Sequence, residues 1–189
     1  MPEVIDFEAL RPDPLASVSA VREDTMAQKT DFTADEWKTV LASPMLAGMA
    51  VTLAEPSGLW GMLQEGMASG QALLDVKRDP GASELAKALV AEMETSAGRS
   101  AARDEVRADL TGKSPAEMRQ QIVATLTQLG QILDTKAPDD AAAFKAWLKR
   151  VAERVAQAAS EGGILGFGGV TVTDAEKASI ADVAKALGV

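Results

Sequence analysis

Apolar residues recur every three or four positions over much of the chain, which is the spacing of amphipathic helices. The clearest stripes comprise Met118, Ile122, Leu126, Leu129 and Leu133 in one predicted helix, Phe144, Trp147, Leu148, Val151 and Val155 in the next, and Ile180, Val183, Ala184 and Leu187 in the last. No segment of useful length alternates apolar and polar residues as a half-buried strand does. The pattern predicts an all-α, single-domain bundle of about seven helices.

Three capping boxes predict where helices begin. In each box, a threonine or serine and a glutamate three residues later satisfy each other's free backbone N–H groups. The boxes are Thr33-Ala-Asp-Glu36, Ser114-Pro-Ala-Glu117 and Thr173-Asp-Ala-Glu176. Phe32, directly before the first box, is placed to pack on Trp37.

A break is predicted at Ser43-Pro44, inside the first helical stretch. Serine is a favoured N-cap residue and proline is favoured at the first helical position, so we expect one helix to stop near Ala42 and another to begin at Pro44. The segment from Pro44 to Ala54 is apolar on every side, and we therefore expect it at the buried centre of the fold.

The sequence divides into an N-terminal arm and a body. Residues 1–31 mix prolines with charges and are expected to form an N-terminal arm, whereas residues 32–189 are expected to form the helical bundle. Within the body, a helix from Ala82 is expected to end near Gly98. The charged stretch from Arg99 to Asp109 is then expected to be a short solvated helix or a linker.

Composition narrows the chemistry. The chain contains neither histidine nor cysteine, which excludes disulfides, thiolate nucleophiles and a Ser-His-Asp triad. The formal charge of −9 argues against nucleic acids and anionic membranes as partners, because both bind basic surfaces. The start of the chain lacks the features of a secretory signal, and no apolar run is long enough to span a bilayer. We expect a cytoplasmic protein that is not an enzyme and holds no cofactor unless it binds Ca²⁺ or Mg²⁺.

The glycine-rich stretch Glu161–Gly169 has the most unusual local composition in the chain. Glycine N–H groups can bind phosphate, but no Walker lysine follows and the flanks are acidic, which disfavours an anion. The apolar side chains Ile164, Leu165 and Phe167 either enter the core or form an exposed tip that contacts a partner or a bilayer. Trp60, which stands near two glycines, joins them as a candidate interaction residue.

Residues 144–188 resemble a known helical family. The resemblance lies in Ala-Ala-Ser-Glu161-Gly162, Val172-Thr173-Asp-Ala-Glu176 and the segment from Ile180 to Gly188. These features are similar to the tellurite-resistance TerB-like family, whose acidic turns are associated with metal binding. The sequence also contains an acidic cluster, Glu161, Asp174, Glu176 and Asp182, whose oxygen atoms are candidate ligands for Ca²⁺ or Mg²⁺, with Glu161, Asp174 and Glu176 as the predicted site. Asp174 and Glu176 are also explained by helix capping and the helix dipole alone.

Two function classes follow from these observations. The first is a non-enzymatic helical protein that acts through protein–protein contact, either with another protein or as a homo-oligomer. The second is a TerB-like module that binds divalent cations in a stress response. The stretches from Trp37 to Gly61 and from Trp147 to Gly169 share an order of features that suggests two related helix–loop–helix units.

Overall fold

The computed structural model describes residues 27–54, 70, 73–161 and 172–189, with the backbone alone over 159–161. Six α-helices run through these ranges: α1 (Ala34–Thr52), α2 (Glu84–Glu94), α3 (Ser96–Leu110), α4 (Pro115–Lys136), α5 (Pro138–Glu161) and α6 (Asp174–Leu187). A short 3₁₀ helix over Lys29–Asp31 precedes α1, and residues 73–78 are also helical. No strand occurs in the described ranges, so the predicted all-α bundle of about seven helices is confirmed.

Helix α1 lies at the centre of the bundle and contacts all five of the other described α-helices. Residues on several sides of it are fully or almost fully buried, among them Val40, Leu41, Leu46, Ala47 and Val51. The prediction of a buried central segment is therefore confirmed. Among the described helices, none combines the length and the apolar character that crossing a membrane requires.

The predicted break at Ser43-Pro44 is wrong, because α1 continues through Pro44 without interruption. Proline has no N–H, so within a helix it leaves the carbonyl four residues earlier, here that of Val40, without its usual donor. The Ser43 hydroxyl donates to the Val40 oxygen at 2.7 Å instead, and both residues are fully buried. The serine thus supplies the hydrogen bond that the proline cannot make.

The three predicted capping boxes are confirmed. In the first, Glu36 N donates to Thr33 Oγ1 at 3.2 Å and Thr33 N donates to Glu36 Oε2 at 2.7 Å. Phe32 packs on Trp37 with ring centroids 5.8 Å apart. The bond from the Thr33 N–H lowers the pKa of Glu36, and bonds from Ser114 lower the pKa of Glu117.

Helix α2 ends at Glu94, earlier than predicted, because Thr95 closes α2 and opens α3. The Thr95 hydroxyl donates to the Glu92 carbonyl oxygen at 2.8 Å and accepts from Gly98 N at 2.9 Å. Gly98 therefore lies in the first turn of α3 and does not end a helix. A Cβ at Gly98 would lie 2.1 Å from the Glu92 oxygen, so only glycine permits this close approach.

The charged stretch from Arg99 to Asp109 belongs to helix α3, which packs on α1, and the alternative of a linker is wrong. Its buried face repeats every four residues and comprises Gly98, Ala102, Val106 and Leu110. At this contact the Thr39 hydroxyl donates to Glu105 Oε1 at 3.4 Å. Burial, and next the neighbouring Asp109 carboxylate, raise the pKa of Glu105.

Helices α5 and α6 bury most of the faces that the sequence predicts. All five residues of the α5 stripe are buried, and in α6 Val183, Ala184 and Leu187 are buried while Ile180 is partly buried. One charged residue of α5, Lys145, is also buried, with 5% of its surface exposed. Its Nζ lies 2.6 Å from Asp134 Oδ1 on α4, so the lysine joins two helices while its charge is neutralised.

Candidate functional site

The structure describes the side chains of two of the three carboxylates predicted to bind a cation, and both accept hydrogen bonds from neighbouring residues of the chain. Glu176 is 3% exposed, and its Oε2 accepts from Thr173 N at 2.8 Å and from Thr173 Oγ1 at 3.1 Å. Asp174 is exposed and accepts from Lys177 Nζ at 3.1 Å. The side chain of Glu161 lies outside the described residues. Across the described ranges, no group of three or more acidic, histidine or cysteine residues is arranged to hold a metal ion. The cation site stays a prediction.

The candidate interaction residues Ile164, Leu165, Phe167 and Trp60 also lie outside the described residues. Their exposure therefore stays a prediction. Elsewhere in the described part of the chain, the large apolar residues that are exposed are Leu74 and Val189, at 46% and 48%. Any contact surface on these helices must therefore rest on clefts and polar groups.

A groove of about 440 Å³ opens between α4 and α6, with α1 at its base; we call it the α4–α6 groove. Small apolar residues contribute part of its lining, and polar residues contribute the rest. The full lining is Ala50 from α1, Ala116, Arg119, Gln120 and Val123 from α4, and Ser179 and Asp182 from α6. The groove therefore joins residues that are distant in sequence.

The polar side chains of the α4–α6 groove form no hydrogen bond or ion pair in the described part of the chain. Among the residues that the structure describes, the side chains of Arg119, Gln120, Ser179 and Asp182 have no hydrogen-bond or ion-pair partner. Ser179 is only 6% exposed, whereas the other three are exposed. The groove thus presents a cation, an anion, an amide and a hydroxyl that are all free to bind.

A second cleft, of about 180 Å³, lies between residues 75–86 and helix α5. Several of its polar groups already have partners. Arg154 forms an ion pair with Asp75, and Asp79 Oδ1 accepts from Gly81 N at 2.8 Å. The Ser83 hydroxyl caps α2. This cleft therefore has fewer groups free for a ligand than the α4–α6 groove has.

Sequence reasoning did not identify the α4–α6 groove. In the sequence, Asp182 is one member of an acidic cluster, and Arg119, Gln120 and Ser179 belong to no motif. Their relation depends on how α4 packs on α6, because no local spacing connects residue 119 with residue 182. The sequence does show that these polar residues lie next to the apolar stripes of two capped helices, and this is the local feature that could have pointed to the groove.

Comparison with known proteins identifies no relative: no family model matches the chain, no curated protein is significantly similar to it, and no solved structure matches its fold significantly. The resemblance to the TerB-like family accordingly stays a hypothesis.

Proposed function

We propose that this protein is a non-enzymatic helical protein that acts through contact with another protein, and that the α4–α6 groove is the contact surface. The observation that supports the proposal is the set of polar side chains at the groove that have no partner among the described residues, namely Arg119, Gln120, Ser179 and Asp182. Protein interfaces combine apolar contacts with hydrogen bonds that are completed only in the complex. The small residues Ala50, Ala116 and Val123 supply the apolar part.

The chemistry of the groove supports binding over catalysis. A serine acts as a nucleophile when a base within hydrogen-bond reach takes its proton. The Ser179 hydroxyl has no such partner among the described residues, and the chain contains no histidine or cysteine to provide a base or an alternative nucleophile. Arg119 and Gln120 are suited to bind carboxylates and carbonyl groups, as residues at protein interfaces do.

Site-specific photo-crosslinking tests this proposal. A photoreactive amino acid is placed at Gln120, in the groove, and separately at Gln128, which is exposed on the same helix but does not line the groove. In cells that express each variant, we expect a defined adduct from position 120 that position 128 does not form. Arg119→Asp should abolish that adduct. Mass spectrometry of the adduct identifies the partner and the peptide in contact.

Two outcomes would contradict a contact function for the groove. The first is the absence of any adduct from position 120. The second is a set of adducts from position 120 that is the same as the set from position 128, because that result indicates random collision. Circular dichroism spectra of both variants confirm that the helices are retained.

A further inference from the structure

The α4–α6 groove carries one positive and one negative side chain that are not bonded to each other. Arg119 lies on the α4 wall and Asp182 on the α6 wall, and no ion pair joins them. In a two-fold symmetric dimer every contact between different residues occurs twice. If residue i of the first copy contacts residue j of the second, then residue j of the first copy contacts residue i of the second. A surface that presents both members of an ion pair is therefore complementary to itself.

We propose that the partner at this groove is a second copy of the same chain, in a two-fold dimer in which Arg119 of each copy binds Asp182 of the other. This inference rests on the proposed function, because it names the occupant of the same contact surface. The dimer would contain two equivalent Arg–Asp pairs. Arginine is suited to this role because its guanidinium binds a carboxylate through two parallel hydrogen bonds.

The charge of the groove favours a second copy over a basic partner. The whole chain carries a formal charge of −9, and a basic protein would be attracted to its acidic surface in general. The two charged side chains of the groove, in contrast, sum to zero. Two copies repel each other over most of their surface, so the place where they can meet is a patch that is locally neutral and carries both signs. Because the rest of the surface is repulsive, we expect a weak dimer.

The shape of the groove is compatible with this arrangement. Two concave surfaces leave space between them unless side chains from each fill the other. Arg119 and Gln120 are long side chains on the α4 wall, and each can extend into the facing groove. There the guanidinium and the amide meet Asp182 and the Ser179 hydroxyl, which are the groups that lack partners in one copy.

Sedimentation velocity of the full chain tests the proposal over roughly 1 μM to 1 mM, the range of weak specific association. We expect the wild-type chain to dimerise within this range. Arg119→Asp and Asp182→Arg, each alone, replace both attractive pairs with like-charge contacts, and each should weaken the dimer at least about tenfold. Arg103→Asp is the matched control. Arg103 is exposed on α3 and has no partner among the described residues, and its substitution changes the net charge by the same amount as Arg119→Asp.

A mixture of the two single variants provides the decisive measurement. In a mixed dimer, the aspartate introduced by Arg119→Asp in one copy faces the arginine introduced by Asp182→Arg in the other. The remaining pair joins the two unchanged residues, Arg119 and Asp182. Both attractive pairs are thus restored, so the mixture should dimerise to within about threefold of the wild type while neither variant dimerises alone. Unchanged melting temperatures confirm that both variants are folded, since both positions are exposed.

Three results would overturn the proposal: a wild-type chain that is monomeric at the highest concentration, a dimer that Arg119→Asp weakens no more than Arg103→Asp, or a mixture that does not associate. These results are distinguishable from failure of the proposed function. A monomeric chain whose position 120 crosslinks to a different protein retains the contact function and loses only the second copy as its partner.

Discussion

The hydrogen bond between the Ser43 hydroxyl and the Val40 carbonyl leads to the most specific stability prediction. Pro44 removes the N–H that would otherwise bond to Val40 O, and Ser43 Oγ replaces it at 2.7 Å inside a fully buried environment. Ser43→Ala leaves that carbonyl without a donor and without access to water. We expect the free energy of unfolding to fall by about 1–3 kcal/mol, the cost of an unsatisfied buried acceptor.

A double-mutant cycle isolates this hydrogen bond from other effects of losing the hydroxyl. Pro44→Ala restores an N–H four residues after Val40, so the carbonyl regains its ordinary helical partner. In that background Ser43→Ala should cost less than about 0.5 kcal/mol, which gives a coupling energy of about 1 kcal/mol or more. Any effect of Pro44→Ala on the unfolded chain cancels in the cycle.

Urea unfolding followed by far-UV circular dichroism measures all four variants. The midpoint should shift while the slope against denaturant stays constant, because the same surface is exposed on unfolding. In a thermal scan, each kcal/mol corresponds to roughly 2–4 °C for a chain of this size. An equal cost of Ser43→Ala in both backgrounds would refute the reasoning, since it would show that the serine does not act through the carbonyl that proline leaves free.

Three further substitutions test other contacts by chemical denaturation. Gly98→Ala should destabilise the fold by about 1–3 kcal/mol despite the higher helix propensity of alanine, because the new Cβ would overlap the Glu92 backbone. Asp134→Ala should cost about 1–3 kcal/mol and more than Lys145→Met, because only the former leaves a buried ammonium unpaired. Glu105→Gln should stabilise the fold at pH 7 by under about 1 kcal/mol, since the group is partly exposed, and the gain should vanish below pH 4.5, the ordinary pKa of the group.

The sign of the pH prediction follows from the raised pKa of Glu105. The folded state holds this proton more tightly than the unfolded state, so the wild-type chain loses stability as the pH rises from 4.5 through the raised pKa. Glu117, whose pKa is lowered by its bonds to Ser114, is the opposite control. Glu117→Gln should destabilise the fold at pH 7, and the difference should disappear as the pH falls through the lowered pKa. The same sign for both substitutions would contradict this account.

Controls for the other two substitutions come from the same chain. A Cβ at Gly81 would lie 3.3 Å from a flexible Asp79 oxygen, so Gly81→Ala should change stability far less than Gly98→Ala. Comparable costs at the two glycines would show that close approach to Glu92 is not what excludes alanine at position 98. Likewise, if Lys145→Met proves as costly as Asp134→Ala, the burial of an unpaired charge is not the dominant effect.

The features that the sequence predicted correctly depend on interactions between residues that are close together in the same helix. The capping boxes at Thr33, Ser114 and Thr173 join residues three apart, so the pattern contains the whole interaction. The apolar stripes of α4 and α5 are equally local, because helix geometry alone places their members on one face. These signals suffice for the fold class and for three of the helix starts.

The errors occurred where distant packing decided between two locally valid structures. Ser43-Pro44 is compatible both with a new helix and with a continuous one, and the surrounding helices favour the continuous form. Gly98 resembles a helix stop, but here it permits a close approach to Glu92. The buried stripe of α3 was difficult to detect because two of its four members, Gly98 and Ala102, have small side chains. The groove between α4 and α6 depends on tertiary packing throughout.

The central position of α1 also determines the order in which the chain can complete its core during synthesis. Residues 34–52 emerge from the ribosome before any of the five helices that surround them, and α6, over residues 174–187, emerges last of these. Until α6 has been synthesised, the side of α1 that packs on α6 stays exposed. Contacts between segments so distant in sequence also form slowly. We therefore expect the nascent chain to depend on chaperones, or on rapid elongation, more than a bundle whose helices pack in sequential pairs.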